Sequence, residues 1–175
     1  NGLGNLASRV TAMTNKYFEG VLPEAVSSGD AEKELAQVAA RAAQAADSAV
    51  DSLSFSGAIN ATWELVDAVN GYLTIQEPWK VAKTMDTDQA ARDSVATTLY
   101  AAAEGLRILS VLLNPVMPKA CASLWSQLGA EVALGSLASQ RIQDCGQWGL
   151  LPAGSVLTKG DSLFPRLEDP EEFSS

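Results

Sequence analysis

VATTLYAAAEGLRILSVLLNP, residues 95–115, carries Val95, Leu99, Ala102, Leu106, Leu109 and Leu113 in alternating steps of four and three. That rhythm keeps one side of an α-helix apolar over five turns, and no other stretch of the chain holds it so cleanly. The helix it predicts is the central one of a bundle. Its start is predicted at Asp86-Thr87-Asp88-Gln89, where Asp86 followed three residues on by Gln89 has the order of a capping box. Asn114-Pro115 stops it, because proline cannot continue a helix.

Shorter helical signals lie on both sides. The opening string NGLGNLASRVTAMTNKYFEG (1–20) places Leu3, Leu6, Val10, Met13 and Tyr17 on one stripe and should end near Gly20. Asp30, with Lys33 and Glu34 beyond it, starts a second helix whose stripe of Leu35, Val38, Ala42, Ala46, Ala49 and Leu53 is made largely of small residues, which permits a close approach to a neighbour. Ser54 or Ser56 would cap a third, with Ile59, Trp63, Val66 and Leu73 as its core face and Trp63 as a core tryptophan. Pro118 opens a further helix carrying Cys121, Leu124, Trp125 and Leu128, with Trp125 in the core, and a short helix with Val132, Leu134 and Leu137 is predicted within Glu131 to Arg141. From about Gln143 the close run of Gly146, Gly149, Pro152, Gly154 and Gly160 marks an irregular tail. The expected fold is therefore all-α: a helical bundle over 1–142 and an irregular tail over 143–175.

Composition narrows the function. At 175 residues, 47% hydrophobic and 19% charged, the chain reads as globular, with no run of eighteen apolar residues and no signal peptide. We therefore expect a cytoplasmic protein that spans no membrane. The lack of an initiator Met and a start inside a helical pattern are read as those of a piece of a longer protein. There is no histidine, which excludes histidine-based acid–base, triad and metal chemistry. Cys121 and Cys145 are too few for a cysteine-rich zinc site and are read as buried small hydrophobes, so no metal site is expected.

Two places carry recognition chemistry. Asn5 and Arg9, four apart, stack an amide above a guanidinium on one polar face of the first helix, with Ser8 at its edge. Such a pair is either ordinary solvated surface or a set of donors and acceptors able to read the edge of an unpaired base. Glu77-Pro78-Trp79-Lys80 breaks the third helix, with Pro78 suited to the first turn of a new one. Trp79 at such a corner either pins the loop to the core or offers its face to an unstacked base. Lys80, Lys83 and Arg92 either neutralise phosphates or form a solvated face.

Asn5-Leu6-Ala7-Ser8-Arg9, Asn15-Lys16-Tyr17-Phe18-Glu19-Gly20, the run from Glu77 to Lys83, and Leu113-Asn114-Pro115-Val116-Met117-Pro118 together resemble the anticodon-binding domain of bacterial methionyl-tRNA synthetases. The likeness runs in order from residue 1 to about residue 168, where Leu163-Phe164-Pro165-Arg166-Leu167 is similar to that family's linker back to its catalytic half. The resemblance implies a site made of Asn5, Arg9 and Trp79, with Pro78 fixing the loop and Trp79 stacking on the wobble cytosine of a CAU anticodon. Lys80, Lys83 and Arg92 would be backbone contacts. The implied partners are the anticodon loop of tRNA(Met) and the domain's own catalytic half, with no DNA and no membrane. The class I signature motifs are missing, so this piece has no catalytic residues and needs no cofactor. The whole ligase would use ATP with Mg²⁺, and the family allows a structural zinc in the catalytic half.

A formal net charge of −9 is unusual for a nucleic-acid-binding domain, although residues 161–172 alone contribute −4. The charge implies local readout of a few bases, with weak isolated affinity and a shallow salt dependence. Two other readings fit parts of the sequence. The same domain from a sister leucine, isoleucine, valine or cysteine enzyme would share the Pro-Trp and Asn-Pro features, while a helical protein-interaction module would suit the acidic charge.

Overall fold

A computed structural model describes residues 2–52 and 55–164. Among the described residues eight α-helices follow in order: α1 (Gly2–Phe18), α2 (Asp30–Ser52), α3 (Phe55–Gln76), α4 (Pro78–Val81), α5 (Gln89–Leu113), α6 (Pro118–Gln127), α7 (Ala130–Leu134) and α8 (Ile142–Cys145), with a 3-10 turn at Leu137–Ser139 before α8. The one β feature among the described residues is an isolated antiparallel bridge between Val21 and Val156. The all-α expectation therefore holds. Leu53, Ser54, Pro165 to Leu167 and the acidic run from Glu168 to Glu172 lie outside the described residues.

Helix α5 is the axis of the bundle. It packs against α1, α2, α3, α4, α6 and α8, and every residue from Val95 to Leu113 except the half-buried Tyr100 is buried. By length and apolarity α5 would suffice to cross a bilayer, but 94% of the qualifying window is buried inside the fold, where it forms the core. Its cap differs from the sequence expectation. The Asp88 carboxylate, not that of Asp86, accepts from the Ala90 and Ala91 amides at 3.0 and 3.3 Å. Asp88 stands immediately before Gln89, and from there the side chain reaches the free amides of the first turn.

The α3 face is also rotated from expectation. Thr62, Leu65, Val66, Val69, Tyr72 and Leu73 are buried, whereas Ile59 and Trp63 are each 41% exposed. The cause lies at the α3–α5 crossing. A Cβ on Gly105 would stand 2.7 Å from Val69 Cγ2, so Val69 occupies the notch that the glycine leaves. With Val69 at the centre of the buried face, Trp63 falls about 120° around the helix, at its edge. Ser56 lies within α3 and is not its cap. Farther along, α7 ends at Leu134, and Val132 is 97% exposed because it points away from α6.

Trp125 is buried on α6, and its indole N–H donates to the Gly135 carbonyl at 3.0 Å. Cys121 and Cys145 are buried free thiols. Burial pushes each thiol up to about 11, which keeps both protonated near neutral pH.

The irregular segment after α8 is tied down by main-chain bonds and by one buried ion pair. Gly154 and Leu157 amides donate to the Leu22 and Gly20 carbonyls, and the Leu22 amide donates to Ser155 O, so this segment closes over the end of α1. Leu151 and Leu157 join the core. Beneath it, Arg107 Nη2 lies 2.8 Å from Glu104 Oε1, with both side chains fully buried. Glu104 accepts from the amides of Gly149, Leu150 and Leu151 at 2.8–3.0 Å. Arg107 donates to the carbonyls of Cys145 and Gln147, each at 2.9 Å. One residue pair of α5 thus supplies partners for five main-chain groups of the segment that follows it.

Candidate nucleic-acid interface

Two elements build the candidate surface. Leu3, Leu6, Ala7 and Val10 bury one stripe of α1 against the bundle, which turns Asn5 and Ser8 to solvent and leaves Arg9 half-exposed. The chain then returns to the same side at the end of α3. Glu77 takes a left-handed conformation (φ 44°), an uncommon one for a residue other than glycine, and this kink reverses the chain into α4. Pro78 occupies the first position of α4 and is buried, which seats the corner. Trp79 follows, half-buried.

The kink brings Trp79 to α1. The Arg9 guanidinium carbon stands 5.1 Å from the Trp79 ring centroid, within cation–π range. Two residues seventy positions apart in sequence, which the resemblance assigns to one site, therefore meet in space. Asn5 lies one turn before Arg9 on the same side of α1.

The basic residues divide. Lys80 Nζ is 2.6 Å from the Glu77 carboxylate, so its charge is spent on the kink. The Arg92 guanidinium lies over the Phe18 ring at 5.3 Å, at the far end of α1. Lys83 lines a groove of about 360 Å³ together with Lys16, Tyr17, Trp79, Ala82, Met85 and Asp86. Lys16 and Tyr17 are not among the site residues expected from sequence, because Tyr17 falls on the apolar stripe of α1 and reads as core. Lys16 Nζ stands 5.2 Å from the Tyr17 ring centroid. The available signal was the Asn15-Lys16-Tyr17-Phe18 string, which places a cation beside a ring at the end of a helix.

This surface combines two partly exposed aromatic rings, an amide, a guanidinium and two lysines. Flat rings accept the faces of unstacked bases, while the amide and guanidinium supply directed donors for base edges. The chain's negative charge lies mostly elsewhere, with seven of its acidic residues on α2 and α3. The arrangement suits a short single-stranded segment, in which base contacts outweigh phosphate contacts.

Comparisons with known proteins bear on the chain as a whole. A family model for the anticodon binding domain of methionyl tRNA ligase matches residues 22–174. The methionine–tRNA ligase of Streptomyces coelicolor is 52% identical over 97% of this chain, and that of Caldanaerobacter subterraneus is 36% identical over 100% of it. The chain spans 31% and 26% of the lengths of those two proteins. Among solved structures, the apo form of Mycobacterium tuberculosis methionyl-tRNA synthetase matches 97% of this chain with a TM-score of 0.81 at 27% identity, over 32% of its own length. The same enzyme in complex with methionyl-adenylate gives 0.83 at 30% identity, covering 95% of this chain and 31% of its own.

Proposed function

Because the chain belongs to the family of methionyl-tRNA ligase anticodon-binding domains, we propose that its α1–α4 face selects tRNA(Met) by reading the CAU anticodon, within a whole cytoplasmic protein that activates methionine with ATP and transfers it to that tRNA. The observation that carries this reading is the Arg9–Trp79 contact at 5.1 Å, on a face that also presents Asn5.

The chemistry follows from the geometry. A guanidinium over one face of an indole restrains the ring and leaves its other face to a base. The first anticodon base, unpaired and splayed from the loop, stacks there. Asn5 donates to and accepts from the edges of the neighbouring bases, and Arg9 donates to them. A wrong base leaves these groups unpaired, and discrimination arises from that difference. Pro78 and the Glu77 kink hold the ring in place before RNA arrives, which lowers the entropy lost on binding.

The test is binding of a CAU anticodon stem-loop to the full-length protein. Trp79→Ala is expected to weaken binding by about 1–3 kcal/mol, the range for loss of one stacked base, while Trp79→Phe keeps most of it. Unchanged affinity in Trp79→Ala would remove the stacking role.

A further inference from the structure

We propose that the groove beside Trp79 is a second nucleotide subsite, in which the Tyr17 ring stacks on a base neighbouring the one on Trp79 while Lys16 and Lys83 hold the phosphate that joins them. The proposal rests on the anticodon reading above and extends it to residues that reading leaves unused.

Several features favour an RNA occupant. Trp79 is itself one wall of the groove, so a nucleotide seated there is next to a base stacked on the indole. The volume, about 360 Å³, falls in the range of small-ligand sites. Tyr17 supplies a second, half-buried ring on the α1 side. Rings on two elements, with a gap between them, fit two successive unstacked bases better than one.

The cations fit the phosphate linking those bases. Lys16 comes from α1 and Lys83 from the turn after α4, and both are exposed. Among the described residues neither is in an ion pair, whereas Lys80 is held by Glu77. Neither charge is neutralised by a carboxylate, and Lys16 exchanges its contact with the Tyr17 ring for the phosphate when a base takes that ring. Asp86 lines the same groove. Its carboxylate disfavours a second phosphate there and offers an acceptor to a base's exocyclic amino group. Met85 is buried and, with Ala82, gives the groove an apolar lining against which a base can lie.

The experiment measures binding of the full-length protein to CAU anticodon stem-loops, intact or made abasic at each position flanking the first anticodon base. With intact RNA, Tyr17→Ala is expected to weaken binding about tenfold, and Tyr17→Phe to leave it unchanged. With one of the abasic RNAs, Tyr17→Ala is expected to lose its effect. Independently, Lys16→Ala combined with Lys83→Ala is expected to flatten the dependence of log affinity on log salt by about 0.7 in all, the single-strand value for the one phosphate that the two lysines share. This arm decides the matter if Tyr17→Ala fails to fold. An equal loss on intact and every abasic RNA would assign Tyr17 a purely structural role and overturn the subsite, as would an unchanged salt slope in the double lysine variant. If Trp79→Ala weakens binding and these variants do not, the subsite falls and the anticodon reading stands. If all of them bind as wild type, both fall.

Discussion

Glu104→Ala is expected to destabilise the fold by about 3–5 kcal/mol, the range for breaking a buried ion pair by removing one partner. The substitution strands the Arg107 guanidinium in a fully buried position. It also removes the acceptor for three amides, those of Gly149, Leu150 and Leu151. The Leu151 amide, which is buried, adds its own desolvation penalty when unpaired. Replacing both Glu104 and Arg107 with apolar residues is expected to recover only part of the loss, because the main-chain groups of residues 145–151 still lack partners. Urea unfolding reads the effect as a lowered midpoint at an unchanged slope. Native-state hydrogen exchange should also accelerate at residues 149–151 before it does at the α3–α5 crossing. A midpoint equal to that of the parent chain would show that the pair does not hold the segment.

The second large effect is at Trp125. Its side chain is among the largest that are fully buried, and its N–H satisfies the Gly135 carbonyl. Trp125→Ala is expected to cost about 3–5 kcal/mol through lost burial and the cavity left behind. Trp125→Phe, which keeps most of the volume but leaves the carbonyl without its donor, should fall between. Trp63→Ala, by contrast, is expected to shift stability far less, because that ring is 41% exposed. Thermal or urea unfolding of the two alanine variants side by side checks the contrast. Equal losses would mean that Trp63 is packed as deeply as Trp125.

Those two tryptophans mark how far the sequence could be read. Both stand on helical stripes, and periodicity alone assigns both to the core. Periodicity shows that a helix has an apolar face, but the neighbour decides the angle at which that face is buried. For α5 the question never arose, since it is enclosed on all sides and its stripe of Val95, Leu99, Ala102, Leu106, Leu109 and Leu113 is buried whatever its rotation. For α3 the answer came from Gly105, on another helix, whose missing side chain admits Val69. Glu104 and Arg107 left a trace that could have been followed: they are the only charges between Val95 and Val116. Two lone charges three apart in an apolar run are a buried pair or a functional group, and only the path of the later segment decides which. The α5 cap illustrates a finer limit, because Asp86 and Asp88 are both good capping residues and the choice depended on where the turn after α4 ended.

The candidate site divides in the same way. Asn5, Arg9, Pro78 and Trp79 stand out through the resemblance of their strings to the family, since on their own the amide and guanidinium read equally as solvated surface and the indole as a pin for the loop. The resemblance places them in one site, but periodicity cannot, since their proximity depends on the left-handed kink at Glu77. Lys16 and Tyr17 were hidden because a tyrosine in an apolar stripe reads as core, although a ring at the last turn of a helix lies where the bundle no longer covers it.

The central claim is that the α1–α4 face reads an anticodon, and discrimination tests it more directly than affinity does. The measurement is the ratio of dissociation constants of the full-length protein for two anticodon stem-loops, one bearing CAU and one with its first anticodon base changed, for the parent protein and for Arg9→Ala. The parent is expected to prefer CAU, and Arg9→Ala to lose a large part of that preference, because the guanidinium both restrains the ring and contacts base edges. A parent protein that binds the two loops equally well, or an Arg9→Ala variant with undiminished preference, would contradict the assignment of this face.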